Sequence, residues 1–179
     1  LAFDVYGGGV APPLLIFHGL FGSKNNWKEI GKTLKAILQP TRKIYAIDLR
    51  NHGQSYRSPN MTVKQLAEDI KDFIEEEGLR KVCILGYNAG GKAATHFVLE
   101  NPNLVQKAII VDSSPIESRA EAIGLDKVVL LMKNTRIPKE KTFSEGRQMA
   151  LTMLQKVITD NHTANYVLSN LKKSPTDGE

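Results

Sequence analysis

Residues 82–91 read VCILGYNAGG. The first four are continuously apolar, which is typical of a strand that is buried on both faces. A Gly-x-Asn-x-Gly turn follows at residues 86–90, and a helical pattern continues from it to residue 100, ahead of Pro102. Glycines on both sides of the turn let the helix pass close to the strand. This stretch therefore predicts a strand, a tight turn with Asn88 at its centre, and a helix.

This order of elements is that of a nucleophile elbow, in which the central residue stands on a strained turn with its side chain exposed above the sheet. A nucleophilic serine usually occupies that position, which here holds Asn88. Asparagine tolerates a positive φ and is compatible with the shape of the turn. Its carboxamide does not ionise near neutral pH, so it offers no activated oxygen for acyl transfer. The stretch therefore supports the fold and argues against the usual chemistry.

Three other short apolar runs predict further strands of the same sheet, at residues 14–17, 43–47 and 108–111. Helical patterns separate them, and strands that alternate with helices are typical of βαβ units with a mostly parallel sheet. Continuous apolarity also predicts helices on both faces of that sheet. The fold class is therefore α/β, with the turn at Asn88 directly after the central strand.

Two helices between these strands have clear signatures. Four apolar side chains recur at helical spacing, so we expect them to share the buried face of a helix that begins near residue 25. They are Trp27, Ile30, Leu34 and Ile37. Thr62 and Gln65 have the spacing of a capping box ahead of the second helix, and Gly78 is placed to end it.

The segment HGLFG follows the first predicted strand at residues 18–22. A backbone N–H after its His-Gly pair would act together with that of Ala89 as an oxyanion hole. We assign this N–H to Phe21, with Leu20 as the neighbouring possibility; the alternative is a turn with a purely structural role. His18 itself is expected to be a hydrogen-bonded turn residue.

A second polar loop, DLRNHGQS, follows the second predicted strand at residues 48–55. Its glycine and small polar residues suit a tight turn at the carboxyl end of a strand. A functional role for His52 is possible here, and we favour a structural role in the loop.

The pattern changes after Pro115. Amphipathic helical patterns without a strand cover residues 122–132, 143–158 and 160–171. A helical excursion after a sheet strand is typical of a cap or lid. We therefore expect the N-terminal part of a core at residues 1–115 and a helical cap region at residues 116–179.

Composition narrows the classes of partner. The chain is 41% hydrophobic and 24% charged, as globular domains are, and no apolar run approaches the ~20 residues that cross a bilayer. The net charge is +5, but basic and acidic residues alternate, so we expect no nucleic-acid partner. The single cysteine, Cys83, excludes an internal disulfide and favours an intracellular reducing compartment, either the cytoplasm or the mitochondrial matrix.

The chain contains four motifs that are informative in combination. They are His18-Gly19-Leu20-Phe21-Gly22-Ser23, Asp48-x-Arg50-Asn51-His52-Gly53-x-Ser55, Gly86-x-x-x-Gly90-Gly91-Lys92 and Val111-Asp112-x-Ser114-Pro115. Their combination resembles the α/β-hydrolases of the abhydrolase-domain-containing protein 11 type, over nearly the whole chain. The resemblance implies a serine hydrolase that acts on esters or thioesters of small acyl or lipid-like substrates, with no metal and no organic cofactor.

The resemblance also implies a catalytic triad. It places the nucleophile at Asn88, and the acid either at Asp112 or one strand later, which this chain does not reach. The family's histidine follows the last strand of the core, so the C-terminal core strands and that histidine are expected to be absent here. His162 and His96 lie in predicted helices and are poor substitutes. We therefore expect a truncated chain with impaired catalysis, a pseudoenzyme in this form.

Three functions stay open. The favoured one is a serine esterase whose chemistry is disabled. The second is a non-catalytic homologue that binds a small apolar ligand or a protein. The third is a hydrolase with an aspartate nucleophile formed by deamidation of Asn88, although Asn before alanine deamidates more slowly than Asn before glycine. In addition, an exposed apolar edge at residues 108–111 would favour association.

Overall fold

The structure is a computed structural model that describes residues 1–116 and 125–172. The chain divides into two compact units, residues 1–115 and residues 116–179. The first unit contains the sheet and the turn at Asn88, and the described part of the second unit is helical.

Five strands form the sheet of the first unit. They are β1 (Phe3–Gly7), β2 (Ala11–Phe17), β3 (Arg42–Ile47), β4 (Val82–Tyr87) and β5 (Val105–Val111). Their order is β1-β3-β2-β4-β5, with β2 to β5 parallel and β1 antiparallel to β3. The predicted α/β fold class, with its mostly parallel sheet, is confirmed. Because β4 lies between β2 and β5, the turn at Asn88 is flanked by the loops that follow both neighbours.

Helices and short 3₁₀ turns connect the strands. They are α1 (Lys28–Ile37), α2 (Val63–Glu76) and α3 (Ala89–Glu100), with 3₁₀ turns at Lys24–Trp27 and Pro102–Leu104. The predicted capping box begins α2, because Thr62 Oγ1 accepts from Gln65 N at 3.2 Å and Gln65 Oε1 accepts from Thr62 N at 3.0 Å. Gly78 follows the end of α2 with a φ of 63°, which is the left-handed conformation typical of that position.

The buried face of α1 differs from the predicted one. Ile30 is 45% exposed and Ile37 is 64% exposed, so their assignment to that face is wrong. The side chains that pack against the sheet are those of Trp27, Leu34 and Leu38. Gly31 explains the difference, because a Cβ there would lie only 2.5 Å from the ring of Tyr6. The aromatic ring on β1 packs against the bare glycine and turns that side of α1 toward the sheet.

The main core of the first unit includes α2, α3 and one face of β2, β3 and β4. Its largest fully buried side chains include Leu15, Phe17, Ile47, Phe73, Ile84 and Phe97. The edge strand β5 is different, because its residues are exposed along most of its length. Ile109, Ile110 and Val111 are 52%, 37% and 40% exposed. The expectation of cover on both faces therefore fails for β5.

Three helices make up the described part of the second unit. They are α4 (Leu125–Asn134), α5 (Phe143–Leu154) and α6 (Asn161–Leu168). Thr142 caps α5 by accepting from Glu145 N at 3.3 Å, and Asp160 caps α6 by accepting from Thr163 N at 2.7 Å. Both helices are shorter than predicted, and the predicted start of the first one, at residues 122–124, lies outside the described residues. Within the described ranges, no helix combines the length and apolarity needed to cross a bilayer.

Candidate functional site

The carboxyl ends of β2, β3, β4 and β5 bring four loops to one edge of the sheet. Each loop contains one non-glycine residue with a positive φ, and within residues 1–116 and 125–172 there are no others. They are Phe21 (63°), Asn51 (65°), Asn88 (50°) and Asp112 (49°). Such conformations cost energy and cluster at functional sites. In parallel α/β sheets this edge is also where ligands bind, so it is the candidate site.

Asn88 has the backbone conformation of a nucleophile elbow, with φ 50° and ψ −113°. Its N–H donates to Val111 O at 3.0 Å, which fixes the turn to the end of β5. A Cβ on Gly86 would lie 2.5 Å from Gly90 O, and a Cβ on Gly90 would lie 2.5 Å from Phe17 O. The backbones of β4, α3 and β2 therefore meet where only glycine fits, and these contacts hold the turn in its strained shape.

The Asn88 side chain folds back onto the start of α3. Its Oδ1 accepts a hydrogen bond from Ala89 N at 2.8 Å, and both residues are half-buried. Ala89 is the first residue of α3, so its N–H has no acceptor within the helix. The carboxamide thus occupies an N–H that was assigned to the oxyanion hole.

The His-Gly loop passes directly beside the turn. A Cβ on Gly19 would lie 3.0 Å from Asn88 Cβ and 2.9 Å from Tyr87 Cδ1, so a side chain at residue 19 would displace one of them. The carbonyl of His18 accepts from Gly90 N at 3.1 Å. The structure thereby brings together the predicted residues of the two motifs, His18 and Gly19 with Asn88 and Gly90.

His18 is a neutral, fully engaged ring. Its side chain is buried, Nδ1–H donates to Gly19 O at 2.7 Å, and Nε2 accepts from Leu49 N at 3.0 Å; these two partners assign the tautomer. Burial lowers the pKa of His18 to about 4. Asp48 Oδ1 lies 3.9 Å from Nε2, but its attraction is outweighed by the loss of hydration. The contact is therefore not an ion pair at neutral pH, and His18 has no nitrogen open for proton transfer.

His52 is engaged in the same way. Its Nε2 accepts from Phe21 N at 3.1 Å and its Nδ1–H donates to Arg50 O at 2.9 Å. Burial lowers the pKa of His52 as well, and its ring centroid lies 5.0 Å from that of His18. The Phe21 N–H, which was the other N–H assigned to the oxyanion hole, therefore already has an acceptor in His52.

Asp48 connects these loops, although the sequence motifs directed attention to His52 instead. Its carboxylate accepts from Lys24 N at 2.7 Å and from Gln54 N at 2.9 Å, and its carbonyl accepts from Ser55 Oγ at 2.6 Å. It is 1% exposed. The available signal was its position directly after a buried strand, since a buried carboxylate there must find donors in neighbouring loops.

A buried ion pair fastens the second loop to α2. Arg50 donates to Asp69 through Nε at 2.6 Å and Nη2 at 2.7 Å, and Tyr56 Oη donates to the same carboxylate at 2.5 Å. Hydrogen bonding to Asp69 raises the pKa of Arg50, and burial raises the pKa of Tyr56 to about 12. Arg50 also donates to Asn60 O at 3.2 Å and to Gln65 O at 3.0 Å, so the cluster is occupied by structural hydrogen bonds that position the loop.

The end of β5 carries the other predicted site residue, Asp112. Its side chain is exposed, and among residues 1–116 its carboxylate has no hydrogen-bond or ion-pair partner. Of the remaining histidines, His96 lies on α3 with Nε2 3.3 Å from Glu100 Oε1, and His162 is an exposed residue of α6. Within residues 1–116 no histidine is paired with Asp112, and the described residues contain no cluster of metal-ligating side chains.

Comparison with known proteins places this site in context. The model of the α/β hydrolase fold family matches residues 12–157. A Danio rerio protein named sn-1-specific diacylglycerol lipase ABHD11 is 34% identical over 174 residues, which are 97% of this chain and 54% of the relative. The ethanol acetyltransferase 1 of Wickerhamomyces ciferrii is 34% identical over 164 residues, which are 89% of this chain and 40% of the relative. The chain therefore spans about half the length of these curated relatives.

A solved structure agrees with the sequence relatives. A marine microorganism esterase superposes with a TM-score of 0.84 at 30% sequence identity, and the match covers 98% of this chain and 65% of that one. These two sequence relatives and this structural neighbour are thus all named for reactions of acyl esters.

Proposed function

The chain belongs to the α/β-hydrolase family, and we propose that it is an esterase- or lipase-like member whose acyl-transfer chemistry is disabled at Asn88. The single observation that carries the proposal is the conformation of Asn88, with φ 50° and ψ −113° on the turn between β4 and α3. A carboxamide stands where the elbow would present a nucleophile, and it has no proton to give up near neutral pH.

The hydrogen bonds around the turn support the same proposal. Oxyanion stabilisation needs N–H donors that point at the developing charge and are not otherwise occupied. Ala89 N–H donates to Asn88 Oδ1, and Phe21 N–H donates to His52 Nε2. Both proposed donors would have to leave a protein acceptor before they could bind a substrate oxygen.

The class of ligand follows from the relatives. Their names refer to a diacylglycerol lipase, an ethanol acetyltransferase and an esterase, so we propose acyl esters or lipid-like esters as the molecules that the whole protein binds, without a cofactor. Asp112 is proposed as the acid of the site, and its position directly after β5 is the only support for that role. The buried free thiol of Cys83 supports a reducing compartment.

Turnover of short-chain aryl esters tests the proposal. We expect this chain to hydrolyse them no faster than its Asn88→Ala variant, because neither has a nucleophile at the elbow. A serine-directed fluorophosphonate probe should label neither protein. Turnover clearly above that of Asn88→Ala would refute the assignment, and labelling at Ser113 or Ser114 would identify a different nucleophile.

The Asn88→Ser variant of the same chain separates two proposed causes of inactivity, which are the missing nucleophile and the missing base. Serine needs a base to take its proton, and both ring nitrogens of His18 and of His52 are engaged. Because removing the base alone costs nearly as much as removing the whole triad, the substitution should leave turnover near background. Full activity in Asn88→Ser would instead mean that a base lies within this chain, and would make Asn88 the only defect.

A further inference from the structure

The torsions at Asn88 have a chemical consequence that is independent of the proposed function. With ψ at −113°, the Cβ atom of Asn88 is nearly eclipsed with the nitrogen of Ala89 about the Cα–C bond. A five-membered ring through that nitrogen, C, Cα, Cβ and Cγ requires this eclipsed arrangement. Ordinary helical and extended backbones do not provide it, whereas the close glycine contacts among β4, α3 and β2 fix the elbow in this conformation.

The side chain already lies against the nitrogen with which such a ring would close. Asn88 Oδ1 is 2.8 Å from Ala89 N, and Cγ is one bond away from Oδ1. Rotation of the carboxamide about Cβ–Cγ would turn the face of Cγ toward that nitrogen. Asn88 is half-buried, so the reacting group is not sealed from water.

The environment of Ala89 N also suits the reaction. This N–H has no acceptor within α3, and Asn88 Oδ1 is its only partner among the described residues. Loss of its proton would put negative charge at the N-terminus of α3, the positive end of the helix dipole. The nitrogen therefore lies against the carboxamide, and the helix dipole lowers the cost of removing its proton.

We propose that Asn88-Ala89 is a site of spontaneous covalent modification, at which Asn88 cyclises to a succinimide and is then hydrolysed to aspartate. Ala89 N gives its proton to a solvent base and attacks Cγ; the N–Cγ bond forms, the Cγ–Nδ2 bond breaks, and ammonia leaves with a proton. Water then opens the imide. Cleavage of the new N–Cγ bond gives aspartate, and cleavage of the original peptide C–N bond gives isoaspartate.

In flexible peptides, asparagine deamidates more slowly before alanine than before glycine. That difference does not apply at Asn88. Glycine accelerates the reaction because an unconstrained backbone with glycine reaches the required conformation more easily. At Asn88 the fold supplies that conformation whatever residue follows. The product adds one negative charge at the N-terminus of α3, where the helix dipole stabilises it.

The chain contains a matched comparison in Asn51, which also has a positive φ of 65°. Its Oδ1 accepts from Ser58 N at 2.7 Å and so faces away from the following residue. The N–H of that residue, His52, donates to Leu49 O at 3.1 Å. Asn51 thus shares the left-handed φ of Asn88, but its carboxamide is not hydrogen-bonded to the backbone nitrogen of the next residue.

Mass spectrometry of the intact folded chain, incubated at mildly alkaline pH and then digested with trypsin, tests the proposal. Peptides Val82–Lys92 and Asn51–Arg57 each report one of the two asparagines. We expect Asn88 to gain the mass difference between NH₂ and OH faster than Asn51 by on the order of tenfold, the effect of pre-orientation. An Asn88→Asp variant provides the standard for the aspartate peptide, and the isoaspartate form elutes separately.

The same chain incubated in urea is the decisive control. Unfolding removes the fixed ψ, so the Asn88 rate should fall toward that of an unconstrained Asn-Ala pair, and the excess over Asn51 should disappear. Equal or faster conversion of Asn88 in urea than in the folded chain would overturn the proposal, as would equal rates at the two asparagines when folded. The Asn88→Gln variant, which would need a six-membered ring, should show no corresponding conversion at residue 88.

Discussion

Acidification should destabilise the first unit through His18, a ring held neutral by burial. Its pKa is lowered from 6.5 to about 4. Between these values the unfolded chain binds more protons than the folded one, so stability falls as pH falls. The contribution of the neutral ring is complete above the unfolded value and is lost progressively as pH approaches the folded value.

The size of the effect follows from that shift. One pKa unit corresponds to about 1.4 kcal/mol, so His18 alone should remove about 2 kcal/mol from the free energy of unfolding between about pH 7 and about pH 5. Burial lowers the pKa of the neighbouring His52 in the same direction, so its loss adds to that of His18. A few kcal/mol is a large share of the stability of a domain of this size.

Urea denaturation followed by the fluorescence of Trp27, the single tryptophan, reports the first unit. His18→Gln loses hydrogen bonds at every pH, so the measured quantity is the difference in unfolding free energy between the two pH values. That difference should be smaller in His18→Gln than in the wild type by about 2 kcal/mol. His96→Gln, whose ring is partly exposed, should keep the wild-type difference.

The reasoning fails if His18→Gln and the wild type lose the same free energy on acidification. Should His18→Gln not fold, an NMR titration of the histidine ring protons in the wild type gives the answer directly. The His18 ring must then stay neutral well below pH 6.5, and a measured pKa near the ordinary histidine value of 6.5 would contradict the burial argument.

Three further substitutions test other parts of the structure. Asp69→Asn should lower the free energy of unfolding in urea by about 3–5 kcal/mol, because it leaves the Arg50 guanidinium buried without its carboxylate partner. Gly90→Ala should lower the thermal midpoint, at a cost of about 1–3 kcal/mol, because the new Cβ would meet Phe17 O at 2.5 Å. Ile109→Lys should reduce self-association through the β5 edge, measured as light-scattering mass against concentration; an unchanged mass distribution would exclude that edge as the contact between copies.

The elbow was predictable because its requirements are visible in the residues themselves. Close contact between β4 and α3 demands glycine at residue 86, contact between α3 and the end of β2 demands glycine at residue 90, and the strained turn accepts asparagine at residue 88. The parallel strands were predictable for a similar reason, since their apolar runs are short and separated by helical patterns. The capping box of α2 is encoded within four residues, Thr62 to Gln65.

Other features depended on partners distant in sequence. The buried face of α1 is set by the contact of Gly31 with Tyr6 on β1. Periodicity within the helix does not show that contact, so it predicted the wrong buried side chains. The acceptor for Phe21 N–H is His52, 31 residues away, and no local pattern shows that pairing. The role of Asp48 likewise depends on donors from two loops.

The shape of the elbow and the chemistry of residue 88 are separable. The shape depends on backbone contacts of Gly86, Gly90 and Phe17, and on the hydrogen bond from Asn88 N to Val111 O. None of these involves the side chain at residue 88. A change of that side chain therefore leaves the fold similar to that of an esterase, whatever chemistry the new side chain supports. Because similarity in fold reports the backbone contacts alone, the side chain at residue 88 has to be tested by its own reactivity.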